Sequence, residues 1–127
     1  MRLASCIAAI LCAAASPAFA TGAMLCRPSA DAADGPALAL VVGRGDATAI
    51  LQARLTHGND GFVTGADGAS PVVSQAWIDE DLLKVDIVDA NAETCIARLD
   101  ARRTGDAYSG TLTLHGRNWH VRCEESG

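Results

Sequence analysis

Lysine occurs once in this chain, at Lys84, aromatic residues make up only 4% of it, and acidic side chains outnumber basic ones by fifteen to ten. A net charge of −5 repels phosphate backbones, so no nucleic acid partner is expected. A Gly-x-Ser-x-Gly elbow is missing, and the many carboxylates offer no pair singled out as acid and base. The soft metal ligands His57, His115, His120, Cys26, Cys95 and Cys123 lack the close paired spacing of a zinc site. Asp79, Glu80 and Asp81, like Asn59, Asp60 and Asp67, do not follow the pattern of a calcium loop. No catalytic residue, metal or cofactor is therefore expected, and these positions read as solvated turns and surface. A clear amphipathic helix, an internal repeat and a low-complexity tract are also absent.

What is present begins with an address. Arg2 precedes a short apolar run over residues 3–15, followed by Pro17 and a small-x-small site at Ala18, Phe19 and Ala20. This is the layout of a cleavable export signal, with cleavage expected after Ala20. A membrane anchor needs roughly 20 unbroken apolar residues, and Pro17 ends the run first. Leu3-Ala4-Ser5-Cys6 has the form of a lipoprotein box but precedes the apolar run that such a box must follow, so neither a lipid anchor nor a membrane span after cleavage is expected. The organisation is then a signal over residues 1–20 and a single β domain over 21–127, periplasmic or secreted, of about 107 residues. A domain of this size buries only about two-thirds of its surface, so a covalent link adds needed support.

Residues 28–36 read as a loop, residues 38–42 as a short strand closed by a turn over 43–46, and residues 57–70 as glycine-rich turn chemistry with at most a brief strand near Phe62. Residues 48–56 fit a strand or two turns of helix, and the β character of everything downstream favours the strand. From Val72 onward apolar residues alternate through successive segments. Leu83, Val85 and Ile87 share one face, as do Cys95, Ala97, Leu99 and Ala101, then Tyr108, Gly110, Leu112 and Leu114, and finally Trp119, Val121 and Cys123. A two-residue turn at His115-Gly116 pairs Leu112 with Trp119 and Tyr108 with Cys123. A four-residue turn over 103–106 pairs Leu99 with Gly110 and Cys95 with Leu114. A three-residue turn over 90–92 pairs Leu83 with Leu99 and Val85 with Ala97. Inward meets inward throughout, and a one-residue slip would break that agreement. Residues 72–78 fit two registers, with either Trp77 inside or Ala76 and Ile78 inside. With no helix to cover the apolar face, the sheet is expected to close as an antiparallel meander into a barrel of about eight strands, or to fold as a β-sandwich. Tyr108 and Trp119 share the face of Leu112 and Val121 and are expected in the core.

Two of the five cysteines, Cys6 and Cys12, fall in the signal, which leaves Cys26, Cys95 and Cys123. The meander sets Cys95 six residues along the strand pair from Cys123, roughly 20 Å at about 3.3 Å per residue, whereas a disulfide needs Cα atoms within about 7 Å. Cys26–Cys123, joining the first strand to the last, is the expected bond. For a loop near 100 residues it contributes up to about 4.7 kcal/mol on the chain-entropy account. Cys95 is then expected as a buried, inert thiol.

Two glycine motifs invite a functional reading. Gly43, Gly45 and Thr48 depart from the dinucleotide fingerprint at its third glycine, and no βαβ unit follows, so a plain turn is expected. Arg44-Gly45-Asp46 is a tripeptide read by adhesion receptors, but a charged exposed turn accounts for it.

The segment Thr104-Gly105-Asp106-Ala107-Tyr108, followed by a strand, a turn and Trp119, resembles the Ser-Gly-x-x-Tyr region of the membrane-bound and periplasmic lysozyme inhibitors. The likeness covers roughly 20 residues; Thr104 stands where that family has serine, and Lys84, the only lysine, does not match the lysine of its second loop motif. It implies a small exported, disulfide-bonded barrel that uses loop residues to enter a lysozyme cleft. Together with the missing catalytic set, these features favour a non-enzymatic envelope module that binds a protein or small ligand. The 57–70 segment and residues Thr104, Gly105 and Asp106 are its candidate surfaces. The competing readings are a periplasmic lysozyme inhibitor and an envelope enzyme assembled from scattered Asp and His residues. Alkylation without reduction, followed by intact-mass and peptide mapping, is expected to block one thiol, at Cys95; a label on Cys123 instead refutes the pairing.

Overall fold

The computed structural model describes residues 20–126; the expected export signal over residues 1–20 lies outside them apart from the backbone of Ala20. Nine strands run in chain order: β1 (Ala20–Pro28), β2 (Ala37–Arg44), β3 (Thr48–His57), β4 (Asp60–Val63), β5 (Val72–Ile78), β6 (Leu82–Val88), β7 (Cys95–Thr104), β8 (Ala107–Leu114) and β9 (Arg117–Ser126). A three-residue 3-10 turn, Ala30–Ala32, interrupts the β1–β2 loop. Among the described residues no helix is long and apolar enough to cross a membrane.

The strands form one antiparallel sheet in the order β4-β3-β2-β1-β9-β8-β7-β6-β5. The first and last strands are therefore neighbours at the centre, and a meander runs outward on each side. The sheet curls into a half-barrel in which β3 comes close to β5. Residues 64–71 join edge strand β4 to edge strand β5. Thr64 anchors this crossing, its buried hydroxyl accepting the Ala53 N–H at 2.9 Å and its own N–H donating to the Ala53 carbonyl.

Alternation decides which side is inside. Leu38, Leu40 and Val42 of β2, Leu83, Val85 and Ile87 of β6, Ala97, Leu99 and Ala101 of β7, and Trp119, Val121 and Cys123 of β9 are all buried in one core. Each fully buried leucine or isoleucine contributes about 1.5–3 kcal/mol relative to exposure. The two aromatics expected inside are there, and each closes one end of the barrel. Tyr108, 3% exposed, lies at the end where the β5–β6 and β7–β8 turns meet. Trp119, 8% exposed, fills the other, edge-on to His57 and beneath the Arg117 guanidinium.

The Cys26–Cys123 disulfide is present, across directly opposed residues of β1 and β9. The β8–β9 register is as the sequence predicts, with Leu112 opposite Trp119 and Tyr108 opposite Cys123. His115 and Gly116 both have positive φ, as a tight I′ hairpin requires.

Elsewhere the pairing departs from expectation in informative ways. The brief strand expected over Phe62, Val63 and Thr64 is a four-residue strand, Asp60–Val63, that starts earlier and leaves Thr64 out, which brings the number among the described residues to nine rather than about eight. β7 and β8 are joined by a two-residue turn, Gly105-Asp106, not a four-residue one, so Leu99 faces Leu112 and Ala101 faces Gly110. Gly105 alone has positive φ there, the pattern of a II′ hairpin. The β6–β7 connection is longer than three residues, with Asp89 accepting the Glu93 and Thr94 N–H groups, and it sets Leu83 opposite Ala101 and Val85 opposite Leu99. Both shifts are by an even number of residues, so the inward faces survive. Gly43 and Arg44 remain in β2, and the turn covers residues 45–47. Cys95, expected buried, is exposed at the start of β7 next to a register shift opposite Val88, which turns it out of the apolar row.

The two registers open for residues 72–78 each hold for part of β5. Val73 opposes Ile87, the pairing shifts between Val73 and Gln75, and beyond that point Ala76 opposes Val85 and Ile78 opposes Leu83. The bulge at Ser74 thus reverses the parity of the strand and turns Trp77 outward.

Gly110 sits where β8 comes closest to β7; a Cβ there would overlap the Asp100 carbonyl oxygen and the Ala101 Cα. Gly110→Ala is expected to destabilise the protein by about 1–3 kcal/mol, read as a lower denaturation midpoint at unchanged slope.

Candidate functional site

Antiparallel order brings the β2–β3, β5–β6 and β7–β8 turns and the end of β9 to one rim, and this rim contains the predicted Thr104, Gly105 and Asp106. A groove of about 420 Å³ runs along it, lined in part by Arg44, Asp79, Glu80, Arg103, Tyr108 and Glu125.

Arg103 and Tyr108 flank the β7–β8 turn and lock it to residues 79–81. The Arg103 guanidinium packs over the Tyr108 ring, 4.7 Å from its centroid, and donates to the phenol oxygen at 2.9 Å and to the Glu80 carbonyl at 2.5 Å. The phenol in turn donates to the Asp79 carbonyl, and the Arg103 backbone N–H donates to the Asp81 carbonyl at 2.8 Å. The tyrosine of the lysozyme-inhibitor resemblance is therefore a buried brace, while Thr104, Gly105 and Asp106 next to it stand exposed.

Asp79 organises the second turn. Its Oδ1 accepts the Asp81 and Leu82 N–H groups at 2.7 Å each, and its Oδ2 accepts the Trp77 indole N–H at 2.7 Å. These bonds, the indole's first among them, hold the Asp79 carboxyl below its ordinary value of 3.8.

Carboxylates dominate the rim. Asp46, Asp79, Glu80, Asp81, Asp106, Glu124 and Glu125 are exposed there, against Arg44, Arg102, Arg103 and Arg122. Arg122 bonds Glu124 at 2.7 Å and Asp106 at 3.3 Å, which raises its pKa above the ordinary value, and Arg44 pairs with Glu125. Such exposed pairs add little stability, with a typical value of about 0–1 kcal/mol. They link the β7–β8 turn and β2 to the end of β9, and Asp46, Glu80 and Asp81 form no ion pair among the described residues.

The other candidate surface lies elsewhere. Residues 57–59 turn at the Trp119 end, and residues 64–71 cross between the sheet edges, held by Gly65 N–H to the Pro71 carbonyl and by an Asp67 carboxylate that accepts the Ala69 N–H and pairs with Ser70. The structure does not bring them to residues 104–106. The histidines are also scattered: His57 rests on Trp119, His115 is in a turn and His120 is exposed on β9. Among the described residues no three His, Cys, Asp or Glu side chains converge on a possible metal position.

Sequence reasoning overlooked Arg103 and the Trp77–Asp79 bond. The only signal for either was local, an arginine five residues before a tyrosine at a tight turn, and an aspartate two residues after a tryptophan. Comparison with protein-family models, curated proteins and solved structures finds no match for this chain.

Because the folded Asp79 carboxyl titrates low, the stability it contributes is present above its unfolded value and is lost as pH falls through the folded one. On acid titration Trp77 emission is expected to change with a midpoint below 3.8, and Asp79→Asn to abolish the step; a step that survives the substitution refutes the assignment.

Proposed function

We propose that this chain is an exported, non-enzymatic binding module that engages a protein partner through the rim around residues 104–106. The observation that carries the reading is the bracing of two turns against each other by Arg103 and Tyr108. Exposed Thr104, Asp106, Glu80 and Asp81 are thereby held on fixed backbone, so little conformational entropy is lost on binding. The acidic excess of the rim favours a basic partner, speeding its encounter and making association sensitive to salt.

A lysozyme fits that description, and the resemblance at residues 104–108 makes inhibition of a lysozyme the specific form of the proposal. The alternative of an envelope enzyme draws no support from the dispersed histidines.

Titration of the purified protein into a lysozyme cell-lysis assay, alongside a pull-down from periplasmic extract, tests both levels. Inhibition that weakens with salt and falls about tenfold in a Glu80→Ala, Asp106→Ala double variant is expected for an inhibitor. A retained basic partner without inhibition supports the general module alone, and the absence of both inhibition and a retained partner refutes the proposal.

A further inference from the structure

The outer wall of the barrel carries one exposed tryptophan. Trp77 is 60% exposed, whereas Trp119 and Tyr108 are buried. Its position is not incidental to the strand. Val73 points into the core and, without the bulge at Ser74, alternation would carry Trp77 inward as well; the extra residue re-aims it to the outside. The indole N–H is bonded to Asp79 at 2.7 Å, so the polar edge is occupied while the residue as a whole stays exposed.

Trp77 opens a groove of about 690 Å³ along β5, β6 and β7. Two cross-strand rows line it: Trp77, Lys84 and Asp100 in one, Gln75, Asp86 and Arg98 in the other. The rows are about 6.6 Å apart along the strands, two residues at about 3.3 Å each. Within them cations and anions are already matched, Arg98 Nε donating to Asp86 at 2.9 Å and Lys84 lying 4.0 Å from Asp100. The groove thus has no net charge to attract an ion, but it presents donors and acceptors side by side beneath one rigid aromatic face.

That combination suits a ligand that is neutral, has an apolar C–H face to stack on the indole, and has many hydroxyls that each donate and accept. We propose that this wall binds a neutral saccharide chain, with a pyranose ring stacked on Trp77 and its hydroxyls bonded to Gln75, Lys84, Asp86 and Arg98. Glu80 and Asp106 do not line this groove, so the rim variants at those two positions leave it intact, whereas Asp79, which belongs to the rim, also holds the Trp77 indole.

Amide chemical shifts of the disulfide-bonded protein are read during titration with neutral cello- and chito-oligosaccharides and with a sulfated oligosaccharide. Saturable shifts are expected with a neutral sugar at residues 75–77, 84–86 and 98–100. Affinity is expected to fall about tenfold or more in Trp77→Ala and to be largely kept in Trp77→Phe, both variants staying folded with the same small loss of thermal midpoint from the missing bond to Asp79. The phenylalanine variant also loses the bond to Asp79, so it separates ring stacking from turn bracing. No saturable shift with any neutral sugar overturns the proposal. So do shifts indifferent to Trp77→Ala, a phenylalanine variant as weak as alanine, or binding of the sulfated sugar alone.

Discussion

Everything in this fold hangs on the pairing of β1 with β9. A meander that simply ran from one edge to the other would leave both chain ends on open strands. Here the first and last described strands meet in the middle of the sheet, and Cys26 and Cys123 face each other across the pair. The bond lies in the same inward row as Tyr108, so the covalent link and the aromatic that closes one end of the core are packed side by side. Cross-linking residues separated by 97 positions removes much of the unfolded chain's freedom. A small domain with an almost wholly aliphatic core depends on that kind of constraint.

From this centre the two halves of the sheet do different things. The β2–β4 side is short and ends in a four-residue edge strand. The β5–β8 side is longer, and its turns are stitched together by Arg103, Tyr108 and Asp79. The few aromatic residues divide the labour: Trp119 and Tyr108 close the two ends of the core, and Trp77 is left outside. The rim is held by side-chain bonds from one turn to its neighbour, and the outer-wall indole by a bond to Asp79 two residues along the same hairpin.

Parity was legible in the sequence, and register only where turn chemistry fixed it. His115-Gly116 admits a two-residue hairpin and little else, so the β8–β9 ladder could be read residue by residue. Around Gly105 both a two-residue and a four-residue turn keep Leu99, Ala101, Leu112 and Leu114 inside, and alternation alone does not separate them. β5 was ambiguous for a better reason, since each register holds on one side of Ser74 and a bulge leaves no mark in the hydrophobic pattern. Cys95 was misplaced because a register shift at the head of β7 breaks the alternation there. Residues 104–106 are exposed, and the brace beside them depends on contacts between residues 23 and 29 positions apart in sequence, which spacing cannot show.

The central position of β1 also bears on how the chain acquires its bond. Cys95 lies between Cys26 and Cys123 in the sequence. A chain oxidised as it appears meets the wrong thiol before the right one. Avoiding that misbridge requires β7 to have carried Cys95 to the Trp119 end before oxidation, or a thiol–disulfide exchange to correct it afterwards. Cys95, exposed in the folded protein, thus competes for Cys26 in any chain oxidised before the sheet has formed.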